Sequence, residues 1–123
     1  SVPNLNLLQL RLVDDYGFAY ASKVQPSLSY SSIHNDSEIV TIHQLKKLSR
    51  YAKERNIFVM PEVSISTTAG GWIHSGFDLL CPTYICSHGK NMPLNINSRH
   101  LIPIIFSVIE EILDSTGASL FHL

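Results

Sequence analysis

Residues 5–13 read Leu-Asn-Leu-Leu-Gln-Leu-Arg-Leu-Val. Leu8, Leu10 and Leu12 share one parity and Gln9 and Arg11 the other, the period of a strand with one apolar and one polar face. Residues 41–55 switch to the helical period. Ile42, Leu45, Leu48 and Ala52 recur on one face, while Lys46, Lys47, Arg50, Lys53 and Arg55 take the rest, with cations toward the negative end of the helix dipole. Thr41 with Gln44 three residues on has the form of a capping box, and Asn56 suits a left-handed stop. Residues 57–60, Ile-Phe-Val-Met, make the short unbroken apolar run of a strand covered on both faces. Pro61 then weakens pairing, because it has no N–H to give. Residues 98–114 predict a second helix with Leu101, Ile104, Ile105, Val108, Ile109 and Ile112 as its apolar face. Pro103 marks either its true first turn or a kink, and Gly117 ends it. Residues 119–123 predict a third strand.

The connections are long and polar. Residues 17–40 are rich in Ser and Tyr, and so long a connection without regular structure is functional or an inserted lobe. Residues 62–97 form a second long loop that contains Ala69-Gly70-Gly71-Trp72. The order strand, helix, strand, helix, strand implies an α/β fold with a parallel sheet and right-handed crossovers. Both loops follow the C-terminal ends of strands, where α/β barrels build their sites. Periodicity does not separate a barrel from an open doubly wound sheet. No Gly-x-Gly-x-x-Gly follows the first strand, so a dinucleotide fold gains no support.

Composition narrows the class. The 123 residues are 45 % apolar and 15 % charged, the balance of a packed domain rather than a disordered tail. A net charge of −1, with the cations gathered on one helix, argues against a nucleic-acid partner. No apolar run approaches the roughly 18 residues of a membrane span. Cys81 and Cys86 do not have zinc-site spacing. Two separate thiols and one local disulfide, which would imply an oxidising compartment, both stay open. Asn35-Asp36-Ser37 is a glycosylation sequon. The start lacks Met, and residues 119–123 stop within a strand with no cap, so the reading is a partial domain over residues 1–123, truncated at both ends.

Two acidic positions stand where chemistry is expected. Asp14, with Asp15 after it, follows the first strand, and Glu62 follows Met60-Pro61 at the end of the second. A carboxylate at a strand's C-terminal end faces a ligand or orients a catalytic group; the plain alternative is a turn or cap for Asp14 and a structural hydrogen bond for Glu62. Asp15 reads as structural. The six histidines show no ligand spacing, so neither a metal nor another cofactor is expected, and His122 reads as a hydrogen-bonded core histidine. No Gly-x-Ser-x-Gly elbow is present. Glu110 and Glu111 read as solvated helix surface.

In order and spacing these segments resemble the catalytic barrel of glycoside hydrolase family 20, the β-N-acetylhexosaminidases, over nearly the whole chain. The residues that carry the resemblance are Leu12-Val13-Asp14-Asp15 with Phe18, Tyr51-Ala52 with Arg55 and Ile57, Val59-Met60-Pro61-Glu62 with Trp72, Pro93-Leu94-Asn95, and Phe121-His122-Leu123. The resemblance implies a β-α-β-α-β fragment, about strands two to four, of a (β/α)8 barrel. It implies removal of terminal N-acetylglucosamine or N-acetylgalactosamine from glycans by a retaining, substrate-assisted route, in which the acetamide oxygen of the sugar attacks the anomeric carbon. The acid and the Asp that steadies the acetamide would follow Leu123, so no catalytic residue is expected within this chain. Asp14, Glu62 and Thr68 would bind the sugar or orient the acid. Thr68 stands where the family has His, and a hydroxyl cannot share a proton near neutral pH as imidazole does; a non-catalytic glycan-binding homologue is therefore the second reading. The resemblance further implies a secreted or lysosome- or vacuole-like compartment. Alone, the chain is expected to be inactive and poorly stable, and its oligomeric state is not read from the sequence.

Overall fold

The computed structural model describes residues 5–29, 39–65, 69–75 and 93–123. The sequon, Thr68, Cys81 and Cys86 lie outside the described residues. Strand β1 (Leu7–Val13) is followed by helix α1 (Ile42–Lys53), strand β2 (Phe58–Val63) and helix α2 (Leu101–Thr116). Short 3-10 helices cover Pro26–Ser29 and Gly70–Ser75.

β1 and β2 pair in parallel, with Leu7 opposite Phe58, Gln9 opposite Met60 and Arg11 opposite Glu62. The register shifts between Arg11 and Val13, so that Val13 lies opposite Val63. Leu10, Leu12 and Val63 pack into one core with Leu45 of α1 and with Leu101, Ile104, Ile105, Val108 and Ile112 of α2. Gln9, Arg11 and Glu62 occupy the opposite parity, away from the helices. The strand parity and the apolar face of α2 read from the sequence are those observed.

Each helix end has a local cause. The Thr41 hydroxyl accepts the Gln44 N–H at 3.1 Å, and the Gln44 side chain accepts the Thr41 N–H at 2.9 Å, which completes the capping box. Asn56 at φ 58° supplies the left-handed turn after α1. Pro103 is the third residue of α2, where its missing N–H would have had no helical partner, so it marks the first turn. Gly117 closes α2 at φ 64°, its N–H donating to Leu113 O at 2.8 Å.

The third strand is shorter than residues 119–123 predict. It reduces to one parallel bridge between Glu62 and His122, with the His122 N–H donating to Pro61 O at 2.9 Å and the Val63 N–H donating to His122 O at 3.1 Å. The next rung would need an N–H from Pro61, which has none, so the ladder stops there. Toward β1 the proline is harmless, because the donors on that side come from even-numbered residues: Phe58 to Asn6 O and Ser64 to Val13 O.

The connector after β1 departs most from its sequence reading. Its described parts, residues 17–29 and 39–40, pack against the fold. Phe18 bridges back to Val13, Tyr20 bridges to Val40, and Phe18, Tyr20 and Leu28 are fully buried. Glu111 is likewise not solvated surface. Its Oε2 accepts the backbone N–H groups of Lys23 and Val24 at 2.9 and 3.3 Å, tying the connector to α2. Burial beneath this contact pushes the Tyr20 hydroxyl up to about 12 from its ordinary 10.0, the charge of Glu111 adding to the rise and Ser115 opposing it.

Candidate active-site rim

The C-terminal ends of β1 and β2 lie side by side and form one rim. Asp14 is the first residue past β1, and its Oδ1 accepts the N–H groups of Tyr16 at 2.8 Å and Gly17 at 3.1 Å. A short acid can do this because its oxygen reaches the backbone two and three residues on. One carboxylate oxygen of Asp14 is thus spent on shaping the turn. The other makes no hydrogen bond to a described residue, and the residue is only partly buried.

A second loop packs against this turn, backbone on backbone. The Gly71 N–H donates to Asp14 O at 2.8 Å, and the Gly70 N–H donates to Asp15 Oδ1 at 3.0 Å. Asp15 is structural, as read. A Cβ at Gly70 would meet Asp15 O at 2.3 Å, and one at Gly71 would meet Gly17 O at 2.4 Å and Asp14 O at 2.7 Å. Only glycine permits that approach. Trp72 anchors the loop from below: it is fully buried, lies edge-on to Phe18 at 5.2 Å, and donates its indole N–H to Ser64 O at 2.9 Å. Gly70, Gly71 and Trp72 therefore fix the rim, a role the sequence reading did not assign to them.

Glu62 faces the other way from the helical core and is 6 % exposed. Its Oε2 accepts from Gln9 Nε2 at 2.5 Å, and its Oε1 accepts from Arg11 Nε at 3.1 Å. His122 Nδ1 lies 3.7 Å from the same Oε1. The His122 side chain, read from the sequence as a hydrogen-bonded core histidine, is half-exposed within this chain. The structure thus brings Asp14 and Glu62 to adjacent strand ends on one rim. It adds Gln9, Arg11 and His122, which sequence reasoning did not place in the site. The signal for Gln9 and Arg11 was their polar parity on a strand whose other parity is leucine.

One concavity among the described residues, about 490 Å³, lies at the opposite end of the strands, between Leu7, Lys53, Asn56, Phe58, Gly117 and Leu120. It is lined by no carboxylate, so the rim and not this hollow carries the candidate chemistry. Among the described residues no group of three His, Cys, Asp or Glu side chains is disposed to hold a metal ion, and no helix is long and apolar enough to cross a membrane.

Known proteins resemble the chain in sequence and in fold. The family model for the glycosyl hydrolase family 20 catalytic domain matches residues 1–123. Beta-hexosaminidase 1 of Arabidopsis thaliana is 27 % identical over 123 residues, covering 100 % of this chain and 22 % of its own. The beta subunit of beta-hexosaminidase from Homo sapiens is 33 % identical over 112 residues, covering 87 % of this chain and 20 % of its own. The chain thus spans about a fifth of the length of these curated relatives. Among solved structures, the chitobiase of Flavobacterium johnsoniae superposes with a TM-score of 0.79 at 18 % identity, over 96 % of this chain and 18 % of that one. The fold is that of a segment of a (β/α)8 barrel, with the helices outside and Gln9, Arg11 and Glu62 on the inner face. The match across all 123 residues establishes that this chain belongs to the glycosyl hydrolase family 20 catalytic-domain family.

Proposed function

We propose that the protein carrying this chain hydrolyses terminal non-reducing N-acetyl-β-D-hexosamine residues from glycans with retention of configuration. The observation that supports this most is the family match over residues 1–123 combined with two carboxylates at neighbouring ends of parallel strands. Its partners are glycans that end in N-acetylglucosamine or N-acetylgalactosamine. The acetamide oxygen of the sugar attacks the anomeric carbon, the bond to the leaving oxygen breaks, and a protein acid protonates that oxygen. In this reading the acid and its Asp neighbour follow Leu123 in the reading frame. Asp14, Glu62 and Thr68 line the sugar site or orient the acid. The isolated chain has no turnover of its own.

Two measurements test the reading. The codons after Leu123 are expected to encode an Asp-Glu pair; its absence would remove the catalytic claim. The protein expressed from the whole reading frame is expected to release the chromophore from a 4-nitrophenyl N-acetyl-β-D-glucosaminide in proportion to enzyme. A second reading, a glycan-binding homologue without turnover, is favoured by Thr68 in place of the family His. It predicts saturable binding of N-acetylglucosamine with no chromophore released. A secreted or lysosome- or vacuole-like compartment belongs to the same proposal, and glycan on Asn35, read by mass spectrometry of the native protein, tests it.

A further inference from the structure

Glu62 is the one charged side chain among the described residues that is buried. A carboxylate out of water is costly unless it is paired and hydrogen-bonded. Here both oxygens are engaged, by Gln9 and Arg11 from β1, and Oε1 also faces His122 from the segment on the other side. The backbone repeats the arrangement: Arg11 lies opposite Glu62 in the β1–β2 register, and Glu62 bridges to His122. One carboxylate therefore cross-links three chain segments at a single level of the rim. With Glu62 only 6 % exposed, little of its carboxylate is open to a sugar hydroxyl. Its place is that of a strut rather than a ligand.

We propose that Glu62 is a positioning residue: with Gln9, Arg11 and His122 it forms a charge-compensated strut that sets the spacing between the strand end bearing Asp14 and the segment ending at His122. The proposal narrows the role of Glu62 in the hexosaminidase reading and rests on that reading for its kinetic test. Glutamine at position 62 would keep the shape but present an NH2 group toward one of the two donors, replacing a hydrogen bond with a donor–donor contact. Arg11 is more than half exposed, so it can remain solvated when its partner is lost.

The test is a double-mutant cycle of Glu62→Gln and Arg11→Gln in the protein from the whole reading frame, with 4-nitrophenyl N-acetyl-β-D-glucosaminide as substrate. Glu62→Gln is expected to lower kcat about ten-fold or more with KM within about two-fold. The double variant is expected to be no slower than the slower single variant, since both remove one unit. Unchanged kcat, a rise confined to KM, or losses that multiply would each overturn the proposal. Absence of turnover in the unmutated protein would sink the hexosaminidase reading alone, because urea midpoints for the same four proteins read the strut independently. There, a double loss smaller than the two single losses added supports it, and strict additivity refutes it. If Glu62→Gln fails to fold, restoration of folding by Arg11→Gln in the double variant supports the strut, and failure of both supports a different role.

Discussion

The two faces of the β1–β2 sheet differ in what they need from the rest of the protein. On the helical face Leu12, Val63, Leu45, Val108 and Ile112 bury one another in an apolar core. The inner face leaves Leu7, Phe58 and Leu120 exposed, Phe58 by 73 %, and yet buries a carboxylate. Burial of apolar area drives folding, and in this chain the helical face supplies most of it. Exposed apolar side chains on an inner sheet face mark a surface that further strands would cover. The lesson is that stability resides outside the barrel wall and candidate chemistry inside it, and that the rim joins the two.

Substitutions can break this contrast in order of size. Trp72→Ala removes a fully buried indole and its hydrogen bond to Ser64 O, and is expected to cost about 3–5 kcal/mol in urea unfolding of the whole protein. Raising the pH through the Tyr20 transition comes next. The hydroxyl titrates near 12 when folded and near 10.0 otherwise, so this contribution is fully present below pH 10 and is lost between 10 and 12. The loss is about 2–3 kcal/mol; Tyr20→Phe should abolish that slope, and an unchanged slope would reject the assignment. Gly71→Ala forces a Cβ against Gly17 O and Asp14 O, and is expected to cost about 1–3 kcal/mol while slowing turnover, since it moves the Asp14 turn. Thr41→Ala removes the capping box on the helical side for about 1 kcal/mol, with kcat unchanged. Smallest in this chain alone is Phe58→Ser, expected to stay within about 0.5 kcal/mol because the ring is already in water. In the whole protein the same change should cost several times more, and equal costs in both would show that the inner face is never covered.

Much of this was legible in the sequence because it is local. The strand parity of Leu8, Leu10 and Leu12, the Thr41–Gln44 box, the left-handed stop at Asn56 and the apolar stripe of α2 all follow from periodicity and capping within a few residues. Asp14 and Glu62 were legible as strand-end carboxylates. What was not legible depends on contacts between distant residues. Tyr20 and Phe18 look like loop aromatics until Val40 and Trp72 are seen beside them. Glu111 looks solvated until the N–H groups of Lys23 and Val24 reach it from across the fold. Glu62 could be suspected but not paired, because Gln9 and Arg11 lie 53 and 51 residues away. Residues 119–123 carry a strand pattern, but the pattern does not show that the missing N–H of Pro61 stops the ladder beside them.

The central proposal is that, in the protein carrying this chain, the sugar's own acetamide does the work of a nucleophile. Its most direct test compares two chromogenic substrates with the protein from the whole reading frame: 4-nitrophenyl N-acetyl-β-D-glucosaminide, and the β-D-glucoside that carries a hydroxyl in place of the acetamide. The account predicts steady release from the first and none above background from the second. Equal release from both, or release from the glucoside alone, would contradict it.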